Sequence, residues 1–156
     1  MWSSLRKAAI VASFAIAGIP ALAQGRIIYS ATADAHADIA QAVTTATHGH
    51  KHIILDFGGN WCGDCQVLDI YFHQPPNLQI LDDNYVLVHV DVGHFDKNTD
   101  VAEKYGIPLH RGVPALAVLD EHGRLLYSQK NGEFEAMRHM DPASVTEFLN
   151  QWKPKR

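Results

Sequence analysis

The chain has 156 residues, 47% of them hydrophobic and 19% charged, which suits one globular domain and excludes disordered and collagen-like proteins. Its 13 basic and 17 acidic residues give a net charge of −4, and the basic residues are scattered, so neither a nucleic acid nor an anionic membrane surface is an expected partner. Its two cysteines are separated by only two residues, which excludes a domain held together by several disulfides.

Residues 1–23 have the organisation of a cleavable secretory signal peptide. Two basic residues precede an apolar run over 8–19, and small residues follow up to Ala23. The alternative, an uncleaved membrane anchor, is disfavoured because this run is shorter than the roughly 20 residues that span a bilayer. We therefore expect cleavage after Ala23, a periplasmic location and a single mature domain over 24–156.

The first predicted elements lead to the cysteine pair. Residues 26–30 alternate weakly and predict a short strand. Apolar residues at helical spacing predict a helix over 33–47 with Thr32 as its N-cap. The β-branched run Ile53–Phe57 then predicts a buried central strand, which Gly58 ends.

The cysteine pair opens the next helix, and strands and helices alternate after it. That alternation predicts an α/β fold with a central mixed sheet of four to five strands flanked by helices. The elements predicted after the cysteines are a helix that stops before Pro75-Pro76, one or two helical turns over 77–84, a strand over 86–92, a helix over 99–105, strands over 114–120 and 125–129 paired as a hairpin, and a last helix opened by Asp141-Pro142.

The stretch Asp56-Phe57-Gly58-Gly59-Asn60-Trp61-Cys62-Gly63-Asp64-Cys65 resembles the thioredoxin superfamily. An acid lies six residues before the first cysteine, a Trp lies directly before it, and the pair Val113-Pro114 opens a later strand. The resemblance covers residues 26–152 and implies a thioredoxin fold. The long segment after the active-site helix is similar to that of periplasmic thiol reductases such as the C-terminal domain of DsbD.

The resemblance also implies roles for particular residues and a partner. Pro114 corresponds to the cis-proline of the family, and the backbone of Val113 is expected to pair with an extended client segment; a trans proline at a strand start is the alternative. A membrane thiol protein of the DsbD kind is the implied electron donor. The lysine that thioredoxin buries beside its acid is expected to be replaced here by Leu87.

The predicted chemistry is thiol–disulfide exchange at the pair Cys62 and Cys65. Cys62 is expected at a helix N-terminus, where unpaired backbone N–H groups stabilise a thiolate, so it is the attacking thiol. Cys65 lies one turn further along and is expected to resolve the mixed disulfide. Disulfide-bearing proteins are the expected clients of a monomeric enzyme that needs no cofactor besides this disulfide.

Four residues near the cysteines are predicted to assist them. Asp56, an acid in an apolar strand, is a candidate base for Cys65, unless it faces solvent at the strand end. Gly63 and Asp64 are expected to set the redox poise, because a carboxylate repels a thiolate and favours a reductase over a strong oxidase. Trp61 is expected to shield the sulfurs and contact the client, with ordinary packing as the alternative.

Two other functions stay open from the sequence. A copper or zinc protein would use the cysteines together with the cluster His48, His50 and His52, although a solvated loop is the favoured explanation of these histidines. A redox-inert assembly module would require Cys62 to be unreactive.

Overall fold

The computed structural model describes residues 25–155, so the predicted signal peptide over 1–23 lies outside the described residues. Two short 3-10 turns, Leu109–Arg111 and Met137–His139, accompany the regular elements. The helices and strands are, in chain order, α1 (Ala35–Gly49), β1 (His52–Gly58), α2 (Gly63–Phe72), α3 (Asn77–Asn84), β2 (Tyr85–Asp91), α4 (Thr99–Lys104), β3 (Ala115–Leu119), β4 (Leu125–Ser128) and α5 (Ala143–Trp152).

The four strands form one mixed sheet in the order β2-β1-β3-β4. β1 runs parallel to β2 and antiparallel to β3, and β3 and β4 form the predicted antiparallel hairpin. The parallel pair needs a crossover connection, which α2 and α3 supply. This arrangement confirms the predicted thioredoxin fold with four strands.

β1 is the central strand, and both of its faces are covered. Ile53, Leu55 and Phe57 belong to a core with residues of α1, whereas Ile54 belongs to a second core with residues of α2 and α5. Successive side chains of a strand point to opposite faces. Asp56 therefore projects to the same face as Ile54, which is the face that α2 covers.

The first helix begins later than the sequence predicts. The N-cap of α1 is Asp34, whose carboxylate accepts a hydrogen bond from the backbone N–H of Ala37 at 3.1 Å. The prediction of Thr32 as the cap was wrong, because Asp34 offers an equally good acceptor two residues closer to the apolar stripe. The remaining boundaries differ from the prediction by one or two residues.

The predicted strand over 26–30 is absent. The segment is bound instead by two side-chain amides from the active-site region. Asn60 Oδ1 accepts hydrogen bonds from the N–H groups of Ile28 and Tyr29 at 2.8 and 3.0 Å, and Asn60 Nδ2 donates to the Tyr29 carbonyl at 2.7 Å. Gln66 makes a similar pair of bonds to the backbone of Arg26. These bonds satisfy the backbone groups without a strand partner.

No helix within residues 25–155 combines the length and apolar character needed to cross a bilayer.

Candidate active site

Cys62 is the N-cap of α2, at the end of the loop that leaves the central strand. The backbone N–H of Cys65 donates to Cys62 Sγ at 3.1 Å, and the two cysteines form a disulfide with their Cα atoms 5.2 Å apart. The first N–H groups of a helix have no partner within the helix. Because one of them already points at Cys62 Sγ, the position favours a thiolate there when the disulfide is reduced.

The two sulfurs differ in their surroundings. Cys62 is 5% exposed, whereas Cys65, in the first turn of α2, is fully buried. Cys62 Sγ lies 3.4 Å from the carbonyl oxygen of Val113, and the Val113–Pro114 peptide bond is cis. The structure thus brings together the predicted attacking thiol and the predicted client-binding pair, with Cys65 behind them.

Asp56 is buried behind the disulfide, with 1% of its surface exposed. Its Oδ2 accepts hydrogen bonds from the Tyr29 hydroxyl and from His89 Nδ1, both at 2.8 Å. Its Oδ1 has no hydrogen-bond partner among residues 25–155. A buried carboxylate oxygen without a hydrogen-bond partner lowers the stability of the fold, so its presence calls for an explanation. Oδ1 of Asp56 has its lone pairs available to a proton donor.

His89, not Leu87, lies beside the buried acid. The parallel register of β1 and β2 pairs Asp56 with His89, and Leu87 pairs with Ile54 two residues earlier. The residue that contacts the acid in this chain is thus His89, while the correspondence of Leu87 with the lysine of thioredoxin stays a prediction. The buried acid keeps a partner that can carry a positive charge.

Burial opposes protonation of His89, but the hydrogen bond and charge of Asp56, with a smaller effect of Asp69, raise the pKa of His89 above its ordinary value. The ring is partly exposed, with 24% of its side chain accessible. His89 therefore exchanges its proton with solvent while it contacts a fully buried carboxylate.

Replacing His89 with Gln is expected to destabilise the oxidised protein most in acidic solution. A raised pKa means that the folded protein binds this proton more tightly than the unfolded chain. The stabilisation is therefore complete below the ordinary pKa of 6.5 and is lost as the pH rises through the folded value. Urea denaturation at about pH 5 and about pH 9 measures the difference. His36→Gln, at an exposed histidine, is the control; an equal loss at both pH values would contradict the expectation.

Tyr29 reaches the site from the N-terminal segment. Burial, with the charge and hydrogen bond of Asp56, raises the pKa of Tyr29, so its hydroxyl stays protonated and donates. A Cβ on Gly58 would collide with this hydroxyl and would lie 2.8 Å from Cys65 Sγ. The Tyr29 hydroxyl and the Cys65 sulfur thus both pack against the backbone of Gly58, at the end of β1. A side chain at this position would displace them.

Asp64 is not an isolated charge between the cysteines. Its carboxylate accepts hydrogen bonds from the backbone N–H and the guanidinium of Arg138, at 2.9 to 3.2 Å. Burial alone would raise the pKa of Asp64, but the hydrogen bonds and charge of Arg138 lower it below the ordinary value. The predicted repulsion between Asp64 and a thiolate is thus opposed by a cation that the sequence analysis did not include.

Trp61 is half exposed, at 49%, and its side chain is fixed at the surface. Its Nε1 donates to the Gly93 carbonyl at 2.6 Å, and its ring stacks on His94 and meets the edge of Phe95. An open, largely apolar groove of about 830 Å³ is lined in part by Phe95 and Gly112. Trp61 contacts Phe95, and Val113 follows Gly112 in the chain, so both adjoin residues that line this groove.

The metal alternative finds no support in the described part of the chain. His48 Nδ1 lies 2.8 Å from the Thr44 carbonyl, His50 contacts Glu121, and His52 contacts the Trp152 carbonyl. Across residues 25–155, no group of three or more His, Cys, Asp or Glu side chains is arranged to hold a metal ion.

Comparison with known proteins identifies the family. A family model described as thioredoxin-like matches residues 34–121. The chain belongs to the thioredoxin-like family. The matched range includes Asp56, both cysteines, Val113 and Pro114.

Relatives of this thioredoxin-like chain include disulfide isomerases. The crystal structure of a disulphide isomerase from Xylella fastidiosa Temecula1 is 32% identical, has a TM-score of 0.77, and the match covers 81% of this chain and 96% of that one. Protein disulfide isomerase-like 2-2 of Oryza sativa subsp. japonica is 30% identical over 103 residues, which are 65% of this chain but only 24% of the rice protein. The C-terminal domain of DsbD from Neisseria meningitidis, 23% identical over 76% of this chain and 96% of that one with a TM-score of 0.52, shows a likeness of fold alone. The family and the disulfide between Cys62 and Cys65 support thiol–disulfide oxidoreductase chemistry.

Three residues of this site were absent from the sequence-based prediction. His89 was detectable in principle, since it alternates with apolar residues in a predicted strand. Tyr29 and Arg138 carried no local signal, because each reaches the site from a segment far from the cysteines in sequence.

Proposed function

We propose that the protein is a thiol–disulfide oxidoreductase of the cell envelope that reduces disulfides in client proteins. The observation that carries the proposal is the position of the cysteine pair: Cys62 caps α2 and keeps 5% of its surface exposed, and Cys65 lies fully buried one turn further along. A structural disulfide closing so small a loop would contribute little stability by chain entropy. Reactivity explains the pair better.

The first half of the reaction occurs at Cys62. Its thiolate attacks one sulfur of a client disulfide, a bond forms between Cys62 and the client, and the client's own S–S bond breaks. The released client thiolate takes a proton from water. The backbone of Val113, whose carbonyl lies 3.4 Å from Cys62 Sγ, supports alignment of an extended client segment with the attacking sulfur.

The second half releases the client. Cys65 transfers its proton to Asp56, directly or through one water, and the Cys65 thiolate attacks Cys62 Sγ. The Cys62–Cys65 bond forms, the bond to the client breaks, and the second client thiolate takes up a proton. Two electrons have passed from the cysteine pair to the client, and an external dithiol must return them. The unpartnered Oδ1 of Asp56 supports its role as the proton acceptor.

The reducing direction is supported by the burial of Asp64. Its side chain is 13% exposed, whereas that of Arg138 is 60% exposed, so water screens the cation more than the carboxylate. Part of the repulsion between Asp64 and a thiolate therefore remains. A less stabilised thiolate makes the reduced pair a better electron donor.

The predicted signal peptide is the basis for placing the protein in the periplasm. In that compartment, the electron donor that we propose is a membrane thiol protein of the DsbD kind. Clients are proteins whose disulfides reach the groove beside Cys62, and the enzyme is proposed to act as a monomer without a further cofactor.

The test is a pair of measurements on the protein purified from the envelope of its host. We expect dithiol-driven reduction of insulin that Cys62→Ser abolishes, and a reduction potential closer to the about −270 mV of thioredoxin than to the about −120 mV of DsbA. A potential near that of DsbA would make the protein an oxidase. Absence of insulin reduction together with an unreactive Cys62 would reject the exchange function.

A further inference from the structure

The 3-10 turn Met137–His139, between β4 and α5, packs on the beginning of the active-site helix. Met137 is fully buried in the core that α2 shares with α5, so the backbone of the turn is anchored independently of its charged side chains. From this anchored turn, the N–H of Arg138 donates to Asp64 Oδ1 at 2.9 Å, while its Nε and Nη2 donate to Oδ1 and Oδ2 at 3.2 and 3.1 Å.

The guanidinium of Arg138 also covers Gly63, the residue that follows Cys62. A Cβ on Gly63 would lie 3.6 Å from Cζ, Nε and Nη1 of Arg138, which would be its nearest neighbours outside the adjacent residues and the backbone of α2. A positive charge is thus fixed over the first turn of α2, beside the position where the Cys62 thiolate forms. Asp64 places a negative charge on the same turn.

The charges of Asp64 and Arg138 change the stability of the reduced cysteine pair but not that of the disulfide. The disulfide carries no charge, whereas the reduced pair carries a thiolate at Cys62 when the first thiol ionises. A nearby charge therefore changes the stability of the reduced form and leaves that of the oxidised form nearly unaffected. The reduction potential and the acidity of Cys62 must shift together.

We propose that Asp64 and Arg138 form an opposed charge pair that sets the redox poise of the cysteines, with Arg138 stabilising the Cys62 thiolate and Asp64 destabilising it. The inference rests on the proposed exchange function and assigns its tuning to a residue 76 positions from Cys62 in the chain. Arg138 acts through the electrostatic environment of Cys62, so it is a positioning residue. His139, whose charge also acts on Asp64, is the remaining titratable group of the turn.

The structure allows the charge to be removed without removing the contact. In Arg138→Gln, the backbone N–H still donates to Asp64, and Met137 still anchors the turn. Arg138→Lys keeps the charge but not the forked geometry. Asp64→Asn removes the opposing charge while keeping an oxygen that accepts from the same N–H.

The experiment compares wild type, D64N, R138Q, R138K and the double variant D64N/R138Q. The ionisation of Cys62 in the reduced proteins is followed by thiolate absorbance, and the redox equilibrium is measured against dithiothreitol. We expect R138Q to make Cys62 less acidic and the pair more reducing, and D64N to do the opposite. Each shift should be on the order of threefold to tenfold in the equilibrium constant, where tenfold corresponds to about 30 mV.

The double variant should return toward wild type, R138K should remain near it, and about 1 M salt should shrink both single shifts. The inference is overturned if D64N and R138Q shift the potential in the same direction, if R138Q has no effect, or if the shifts persist unchanged in high salt. These readouts need no client protein. Failure of wild type to reduce insulin would instead reject the proposed function, so the two failures are distinguishable.

Discussion

Replacing Cys65 with Ala is expected to abolish turnover and to leave client proteins covalently bound to Cys62. The attack on the mixed disulfide is intramolecular in wild type, because Cys65 lies directly behind Cys62. Without Cys65, the mixed disulfide can be attacked only by thiols from solution. These react more slowly, because they are not held next to Cys62 Sγ. Insulin reduction should fall by a factor on the order of a hundred or more.

Intact-mass measurement and non-reducing electrophoresis detect the trapped adduct. Cys62→Ala/Cys65→Ala is the matched control and should trap nothing. Proteins recovered on C65A from the envelope and released by a reductant would identify the clients and the electron donor. Turnover by C65A at the wild-type rate would show that Cys65 is not the resolving thiol.

Replacing Asp56 with Asn is expected to slow the resolving step by a factor of about 10² to 10⁴, the usual contribution of a general base. Asn keeps the shape of Asp and an oxygen that accepts from the Tyr29 hydroxyl, but it cannot take a proton from Cys65. The first attack, by the Cys62 thiolate on the client disulfide, should change much less. The measurement is the decay of a preformed mixed disulfide between Cys62 and a small thiol, in single turnover.

Asp100→Asn serves as the control for this substitution, since Asp100 is an exposed acid in α4 that pairs with His36. Its resolving rate should match wild type. Equal resolving rates in D56N and wild type would remove Asp56 from the mechanism. Equal slowing of both half-reactions would indicate that the substitution acts on the structure of the site rather than on the proton.

The parts of the molecule that depend on local sequence were predictable. The run Ile53–Phe57 is continuous and β-branched, so it predicts a buried strand, and the CxxC followed by helical spacing places Cys62 at a helix start. The structure has both features. The hairpin of β3 and β4 was likewise set by its turn residues.

The contacts that depend on strand register or on distant segments were not predictable from the sequence. His89 reaches Asp56 only because β1 and β2 pair in one particular parallel register, which periodicity does not define. Arg138 meets Asp64 through a short 3-10 turn with no sequence pattern of its own. The alternation over residues 26–30 predicts a strand wrongly, because alternation alone does not show whether a partner strand exists.

That segment covers the buried carboxylate with the side chain of Tyr29, which is itself fully buried. It is attached to the site by amides of Asn60 and Gln66, by the Tyr29 hydroxyl and by an ion pair between Arg26 and Asp69, not by a ladder of strand hydrogen bonds. Its release would leave all four strands paired, yet would admit water to Asp56 and take away one of its two donors. With Asp56 as the proposed acceptor of the Cys65 proton, we expect that transfer to depend on the attachment of residues 26–30, and amide exchange at Ile28 and Tyr29 measures how often this segment opens.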